Sequence, residues 1–193
     1  MSVYNAIKYD PIERGSLTLI STFTSDGSDA TASFTSGIDS TYKEYLFIFN
    51  NIHPETDDTN FQVNFSIDSG SNYNVAKTTT YFRAIHNESD ATALLEYEAA
   101  NDLAQGTGFH TIIDDLGSDN DQACGGFLRL FNPSSTTFVK HFITTVAVSQ
   151  SADYAMNLFT AGYGNTTSAI DAVQFKQSSG EIQAGTIGLF GVK

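Results

Sequence analysis

Apolar residues along this chain come in short runs with a two-residue period, separated by clusters of Gly, Ser, Asn and Asp. That spacing predicts strands and turns rather than helices. Leu17, Leu19 and, further on, Ser21 and Phe23 share one face of a first strand over 16–24, closed by the turn Ser25-Asp26-Gly27-Ser28. A short strand over 30–35 ends at Gly37 and Asp39. The run 43–52 is apolar on both faces, with Tyr45, Phe47 and Phe49 on one and Leu46 and Ile48 on the other. A strand covered on both sides at the centre of a sheet has this composition. Phe61, Val63, Phe65 and Ile67 alternate with Gln62, Asn64 and Ser66, which predicts one buried and one solvated face.

The turn 68–72 follows, and Tyr73 is expected to begin the return strand of a hairpin. A second hairpin is expected over 78–97, around a polar turn at 86–90. Residues 93–104 are rich in Ala, Leu and Glu and have the propensity for a helical turn. Further strands are expected over 109–113, 126–131, 137–148 (the longest), 155–161 and 170–175. The last of these changes phase between Ala172 and Val173, the mark of a bulge. A final strand spans 182–192, where Gly185 and Gly188 leave room for another backbone or a ring. About a dozen short strands without strand–helix alternation predict a sandwich or barrel. The expected fold is all-β: a single jelly-roll-like β-sandwich of residues 16–193, preceded by an extended N-terminal arm, 1–15.

Composition agrees: aromatics are 12% of the 193 residues, with 15 Phe and 9 Tyr, and charged residues only 16%. The charge narrows the partners. Nine Lys and Arg against 22 Asp and Glu give −13, a field that repels phosphate backbones and anionic lipid. Nucleic acid and membrane are therefore not expected as partners. The same charge keeps a component soluble at high copy number, although adaptation to salty water gives the same signature. No segment has the ~18 consecutive apolar residues of a membrane span, and the first residues lack the apolar run of a signal peptide.

No pattern in the sequence assembles a catalytic site. The single cysteine, Cys124, opens an apolar strand and reads as a buried structural thiol. His53, His86, His110 and His141 have no metal-ligand spacing, and there is no nucleophile elbow or phosphate loop. Catalytic residues, cofactors and metals are thus all expected to be none. Asp57-Asp58 and Asp114-Asp115 with Asp119, Asn120 and Asp121 offer oxygen ligands for a hard cation, but the order of Gly and acidic residues departs from an EF-hand. Two binding surfaces are candidates. Tyr4, Ile7 and Tyr9 would be the contacts of an arm that lies on the domain or reaches a neighbouring subunit. Asn72, Tyr73 and Asn74, with Tyr163 and Asn165, have the aromatic and amide groups that stack on and hydrogen-bond a sugar, and serve equally as interface residues.

Several stretches carry a resemblance. They are the segment 36–45 followed by Phe49-Asn50-Asn51-Ile52-His53-Pro54, Ser-Asn-Tyr-Asn at 71–74, Leu-Phe-Asn-Pro-Ser at 130–134, and Ala-Ile-Asp at 169–171. The closing motif Ser-Ser-Gly-x-Ile-x-x-Gly-Thr-Ile-x-Leu-Phe-Gly at 178–191 is the most distinctive. In these, the chain is similar to small structural proteins of marine tailed bacteriophages. The resemblance implies a non-enzymatic β-sandwich of the virion, made in the host cytoplasm. Its partners would be other virion proteins, major capsid or tail proteins. It would act as a capsid-decorating or cementing subunit or, alternatively, as a tail appendage or fibre domain that binds host-surface glycans. A homo-oligomer such as a trimer is expected in either case.

Overall fold

The computed structural model describes residues 16–193, which form twelve strands and no helix. In chain order these are β1 (Leu17–Thr24), β2 (Ala32–Phe34), β3 (Glu44–Pro54), β4 (Thr59–Ser66), β5 (Lys77–Asn87) and β6 (Ala93–Tyr97). Then come β7 (His110–Leu116), β8 (Cys124–Phe131), β9 (Lys140–Gln150), β10 (Tyr154–Gly164), β11 (Ala172–Gln177) and β12 (Ile182–Val192). Every ladder is antiparallel. The N-terminal arm and its Tyr4, Ile7 and Tyr9 lie outside the described residues.

The pairing is that of a rolled-up hairpin. β1 pairs with β12, β2 with β11, β3 with β8 and β4 with β7. The cross-pairs β12–β3 and β11–β4 complete two layers, β1-β12-β3-β8 and β2-β11-β4-β7. This is jelly-roll topology. Two hairpins are inserted into it: β5–β6 between β4 and β7, and β9–β10 between β8 and β11. β9 joins the free edge of β8, and β5 pairs with β10 along its whole length. One layer therefore extends to β1-β12-β3-β8-β9-β10-β5-β6, while the other keeps its four strands. A single ladder contact, Leu116 to Gln150, joins the two.

Five phenylalanines fill the space between the layers. Phe175 of β11 lies 5.2–6.2 Å, centroid to centroid, from Phe34, Phe47, Phe49 and Phe61 on β2, β3 and β4. Three of these contacts are edge-on, which places ring edges against ring faces as the aromatic quadrupole prefers. Under β9 a second contact, Phe65 to Phe142 at 5.1 Å, continues the core. Cys124 is buried in it, as its apolar setting predicts. At the far end a polar knot takes over. Arg83 of β5 meets Glu96 of β6 (2.8 Å), Glu98 (3.2 Å) and Asp114 of β7. Asp114 also accepts hydrogen bonds from Tyr81 Oη (2.6 Å) and Asn101 Nδ2 (3.1 Å). The knot fastens the inserted hairpin to the smaller layer.

The terminal strand is held on both sides, by β1 and β3, as the closing motif implies. Its glycines admit close neighbours: a Cβ at Gly188 would sit 2.7 Å from the Phe190 ring, and one at Gly185 2.5 Å from the Asn51 carbonyl. Several sequence expectations are corrected. The stretch after the turn 68–72 does not return as a partner of β4, because β7 and β11 already occupy both edges of that strand. Asn64 and Ser66 of β4, expected outside, are buried. Asn64 Nδ2 instead donates to Tyr73 O (2.6 Å) and Thr107 O (3.0 Å), which clamps two loops over the strand.

The residues with helical propensity form β6 and turns instead, since pairing with β5 and the ion pairs to Arg83 outweigh a preference of tenths of a kcal/mol per residue. β11 runs in unbroken register, and its phase change reflects burial of both Ala172 and Val173 rather than a bulge. A bulge does occur in β1, between Leu19 and Ser21, and leaves Leu17 and Leu19 exposed while Ile20 and Phe23 pack on the core. β9 begins at Lys140 rather than near 137, after a loop in which Lys140 Nζ donates to Phe138 O (2.7 Å).

Because Phe175 touches four other rings, Phe175→Ala should destabilise the fold by about 3–5 kcal/mol, the range for a buried Phe truncation. Urea unfolding followed by circular dichroism measures this, and a loss under about 1 kcal/mol would show that the cluster is not the centre of the core.

Candidate functional site

The larger layer has an outer face on which most apolar side chains are exposed or half-buried, while Leu46, at 7% exposure, is covered by its neighbours. Strand alternation and register place its residues in rows: Leu17 and Leu19 on β1, Phe190 and Val192 on β12, Leu46 and Ile48 on β3. The rows continue through Phe127 and Phe131 on β8, Ile143 on β9, Phe159 and Ala161 on β10, Phe82 on β5, and Leu95 and Tyr97 on β6. Leu95 is 72% exposed, Leu19 58%, Tyr97 53% and Phe82 39%. Phe82 and Phe159 stack flat across neighbouring strands, 5.0 Å apart at 13°. Gly188 lets Phe190 lie along the sheet. The result is a largely apolar surface, interrupted by Thr80, His141, Thr145 and Asn157, on which Arg129 and Glu44 form an ion pair (3.0 Å). Over Ala161, between Ile143, Tyr163 and Thr80, it dips in a shallow depression of about 320 Å³.

Carboxylates occupy the connections instead: Asp26, Asp39, Asp57, Asp68, Asp90 and Asp121 are examples. Meanwhile Lys77 and Lys140 are buried and Arg83 and Arg129 are held in ion pairs. Much of the positive charge is thus inside or neutralised, and the loops are more acidic than the formal sum suggests. Asp26, Asp39 and Asp68 are each held below the ordinary carboxylate range by local hydrogen bonds, chiefly from Ser28, Thr41 and Asn72 respectively. They stay ionised across the neutral range.

The proposed sugar residues fall into two separate groups. Asn72 is bound through its side chain to Asp68 (2.7 Å), and Tyr73 turns inward, its hydroxyl buried, leaving Asn74 exposed. Tyr163 lies beside His141 on the outer face, and Asn165 donates to Gln105 (2.6 Å), which also reaches Tyr163 Oη at 3.5 Å. Tyr163 and Asn165 are therefore close, but Tyr73 is not available as a stacking platform. Its packing under Gly70 explains this: the turn Asp68–Asn72 folds back over the ring.

A polar cleft of about 480 Å³ lies elsewhere, at the end of the layer where β3, β8 and β12 all change register. Asn51, His53, Asn120, Asp121 and Gln183 line it. Asn51 has a positive φ of 49°, which turns the β3 backbone out of its ladder. His53 Nε2 lies 3.1 Å from the Asp119 carbonyl. Amides and a carboxylate of this kind can hydrogen-bond a polyhydroxy ligand, although no aromatic ring floors the cleft. The acidic loops do not converge on a cation: among the described residues, no group of three or more His, Cys, Asp and Glu is placed to hold one. Asp114, expected in a loop, belongs to β7 and is bound into the knot with Arg83; Asp57 accepts from the Ser118 amide (3.0 Å).

His110 and Lys77 face each other inside the sandwich. Lys77 Nζ donates to Asn64 Oδ1 (2.5 Å) and Val75 O (2.7 Å), with the Phe65 ring 6.0 Å away. Burial lowers its pKa from 10.5 to about 7. His110 is pushed down to about 3, first by burial and then by the Lys77 charge. Both groups brace the floor beneath β9 and take no part in a surface site.

Sequence reasoning missed the outer face because strands apolar on both sides were taken as covered on both sides. The signal was present in β3 and β8. Compared with known proteins, the chain matches no protein-family profile, and no curated protein matches it.

A pH prediction follows from the buried lysine. The unfolded chain keeps the Lys77 proton up to about 10.5, whereas the folded protein releases it near 7. Unfolding free energy should therefore rise with pH between about 7 and 10, by at most ~1.4 kcal/mol per unit. Lys77→Met should flatten that slope in urea titrations at successive pH values. An unchanged slope would mean that Lys77 does not titrate in this window.

Proposed function

We propose that this chain is a non-enzymatic structural protein of a bacteriophage particle that decorates or cements the capsid exterior. The observation that carries the reading is the broad outer face of the larger layer. An exposed surface rich in apolar side chains marks protein–protein contact, and its composition, aromatic and poor in charge, resembles that of an interface core. The acidic connections supply solubility for a component present in many copies. The described residues form a jelly roll without a coiled coil, which suits a subunit that lies on a surface, and jelly rolls recur in capsid and lectin domains. The similarity at residues 178–191 to structural proteins of marine tailed phages supplies the particle. Major capsid protein and further copies of the chain are the partners in this reading, and the virion is its location.

The polar cleft at Asn51, His53 and Gln183 favours a second reading, a tail appendage that recognises host-surface glycans. Amide side chains there present both donors and acceptors to hydroxyl groups.

Immunogold electron microscopy of purified particles, with antibody raised against the recombinant chain, tests the proposal. Label distributed over the capsid is the expected result. Label confined to the tail, together with binding on an array of host envelope glycans, would favour the appendage; particles carrying none of the protein would overturn both.

A further inference from the structure

We infer that the outer face of the larger layer is covered by a second copy of this chain, so that the protein is a closed homo-oligomer built sheet face to sheet face. The inference deepens the proposed role and rests on its reading of this face as a protein–protein contact: it assigns the face to a further copy of the chain rather than to the capsid. Three observations converge on a second copy as the occupant.

The first is the pattern in β3 and β8. Strands with near-continuous apolar runs are those buried on both faces, yet the described chain covers the outer side of β3 and β8 only in part. Phe47 and Phe49 are buried in the aromatic core, while Ile48 between them and Phe127 beside it are only half-buried. A second copy seated on this side would complete their burial.

The second is charge. Copies of a chain carrying −13 repel each other through their acidic connections. The outer face is where they can meet without opposing like charges, because its charged residues, Arg129 and Glu44, already neutralise each other. Juxtaposing like charges elsewhere would cost specificity and affinity, so the distribution selects both the surface and its orientation.

The third is size. Eight strands at about 4.8 Å spacing give a face roughly 34 Å wide. Six residues of strand add about 20 Å in the other direction, for an area on the order of 700 Å². Standard stable interfaces bury about 600–1,000 Å² per partner, a range that includes a face of this size. The two ends of the face differ. Leu17, Leu19 and Phe190 mark the β1 end, and Leu95, Tyr97 and Phe82 mark the β6 end. An isologous pair with the two faces crossed covers both ends at once.

Multi-angle light scattering and native mass spectrometry of the recombinant full chain across ~1–100 µM test this. The expected mass is twice that of the chain, or a higher even multiple. Leu95→Glu and Ile143→Glu, on the face, should raise the dissociation constant at least ~10-fold, with far-UV circular dichroism and melting temperature of the separated monomer retained. Ile67→Glu, an exposed apolar position outside the face on the loop after β4, should leave the assembly intact. A wild-type monomer throughout the range overturns the inference, even if that monomer binds particles. Oligomers that survive both face substitutions overturn it too, since the contact must then lie elsewhere. Oligomers that do not label the capsid would sink the proposed role while leaving this inference standing.

Discussion

The inequality of the two layers governs the rest of this molecule. A jelly roll ordinarily closes four strands over four, and here the two inserted hairpins extend only one layer. The interior of the larger layer is then wider than the smaller one can cover. Phe175 and its neighbours fill the matched part. Beyond it, where hydrophobic cover is missing, the chain uses Arg83, Glu96, Glu98 and Asp114 to join β5, β6 and β7. A guanidinium with three carboxylates can satisfy its donors at a partly wet margin where an aliphatic cluster would be left exposed. The hairpins hold each other as well: β10 and β5 pair along eleven residues, so neither is a free flap.

The same inequality explains the unusual distribution of polar groups inside. Loops must roof the strand β4 and the floor beneath β9, and loops bring backbone carbonyls that need donors. Asn64 and Lys77 supply them, to Tyr73, Thr107 and Val75. Lys140 does the same for Phe138 and Thr166. These lysines act as donors to backbone within the roof, and so they subtract from the charge the surface presents. A protein already rich in acidic loops becomes more acidic outside because its cations are used inside.

Much of the architecture was legible in the residues. Strict alternation at Phe61, Val63 and Phe65 places β4, and the double-sided apolar run at 43–52 places β3 at the centre of its layer. What local pattern does not contain is which strand a given edge meets. The turn at Asp68–Asn72 has every mark of a hairpin, yet β4 had both edges taken by strands more than forty and a hundred residues away. Residues 93–97 show the complementary error: helix propensity is a weak local term, and a ladder with β5 plus an ion pair outweighs it. Of the suggested sugar contacts, Tyr73 failed for a reason no spacing reveals, since its ring is enclosed by its own turn.

Periodicity reports whether a side chain is hidden from water, not which chain hides it. The runs at 43–52 and 126–131 were written for burial on both faces, and folding of the described chain satisfies one. A sequence selected only for the protomer would have placed polar residues at Ile48, Phe127, Phe159 and Phe82, where they would cost nothing in core packing and would blunt a large exposed sheet. That it keeps rings there, stacks two of them, and flattens a third against Gly188 argues for a surface shaped by contact with another macromolecule. Exposure in the single chain and burial in the pattern agree when another macromolecule covers this face.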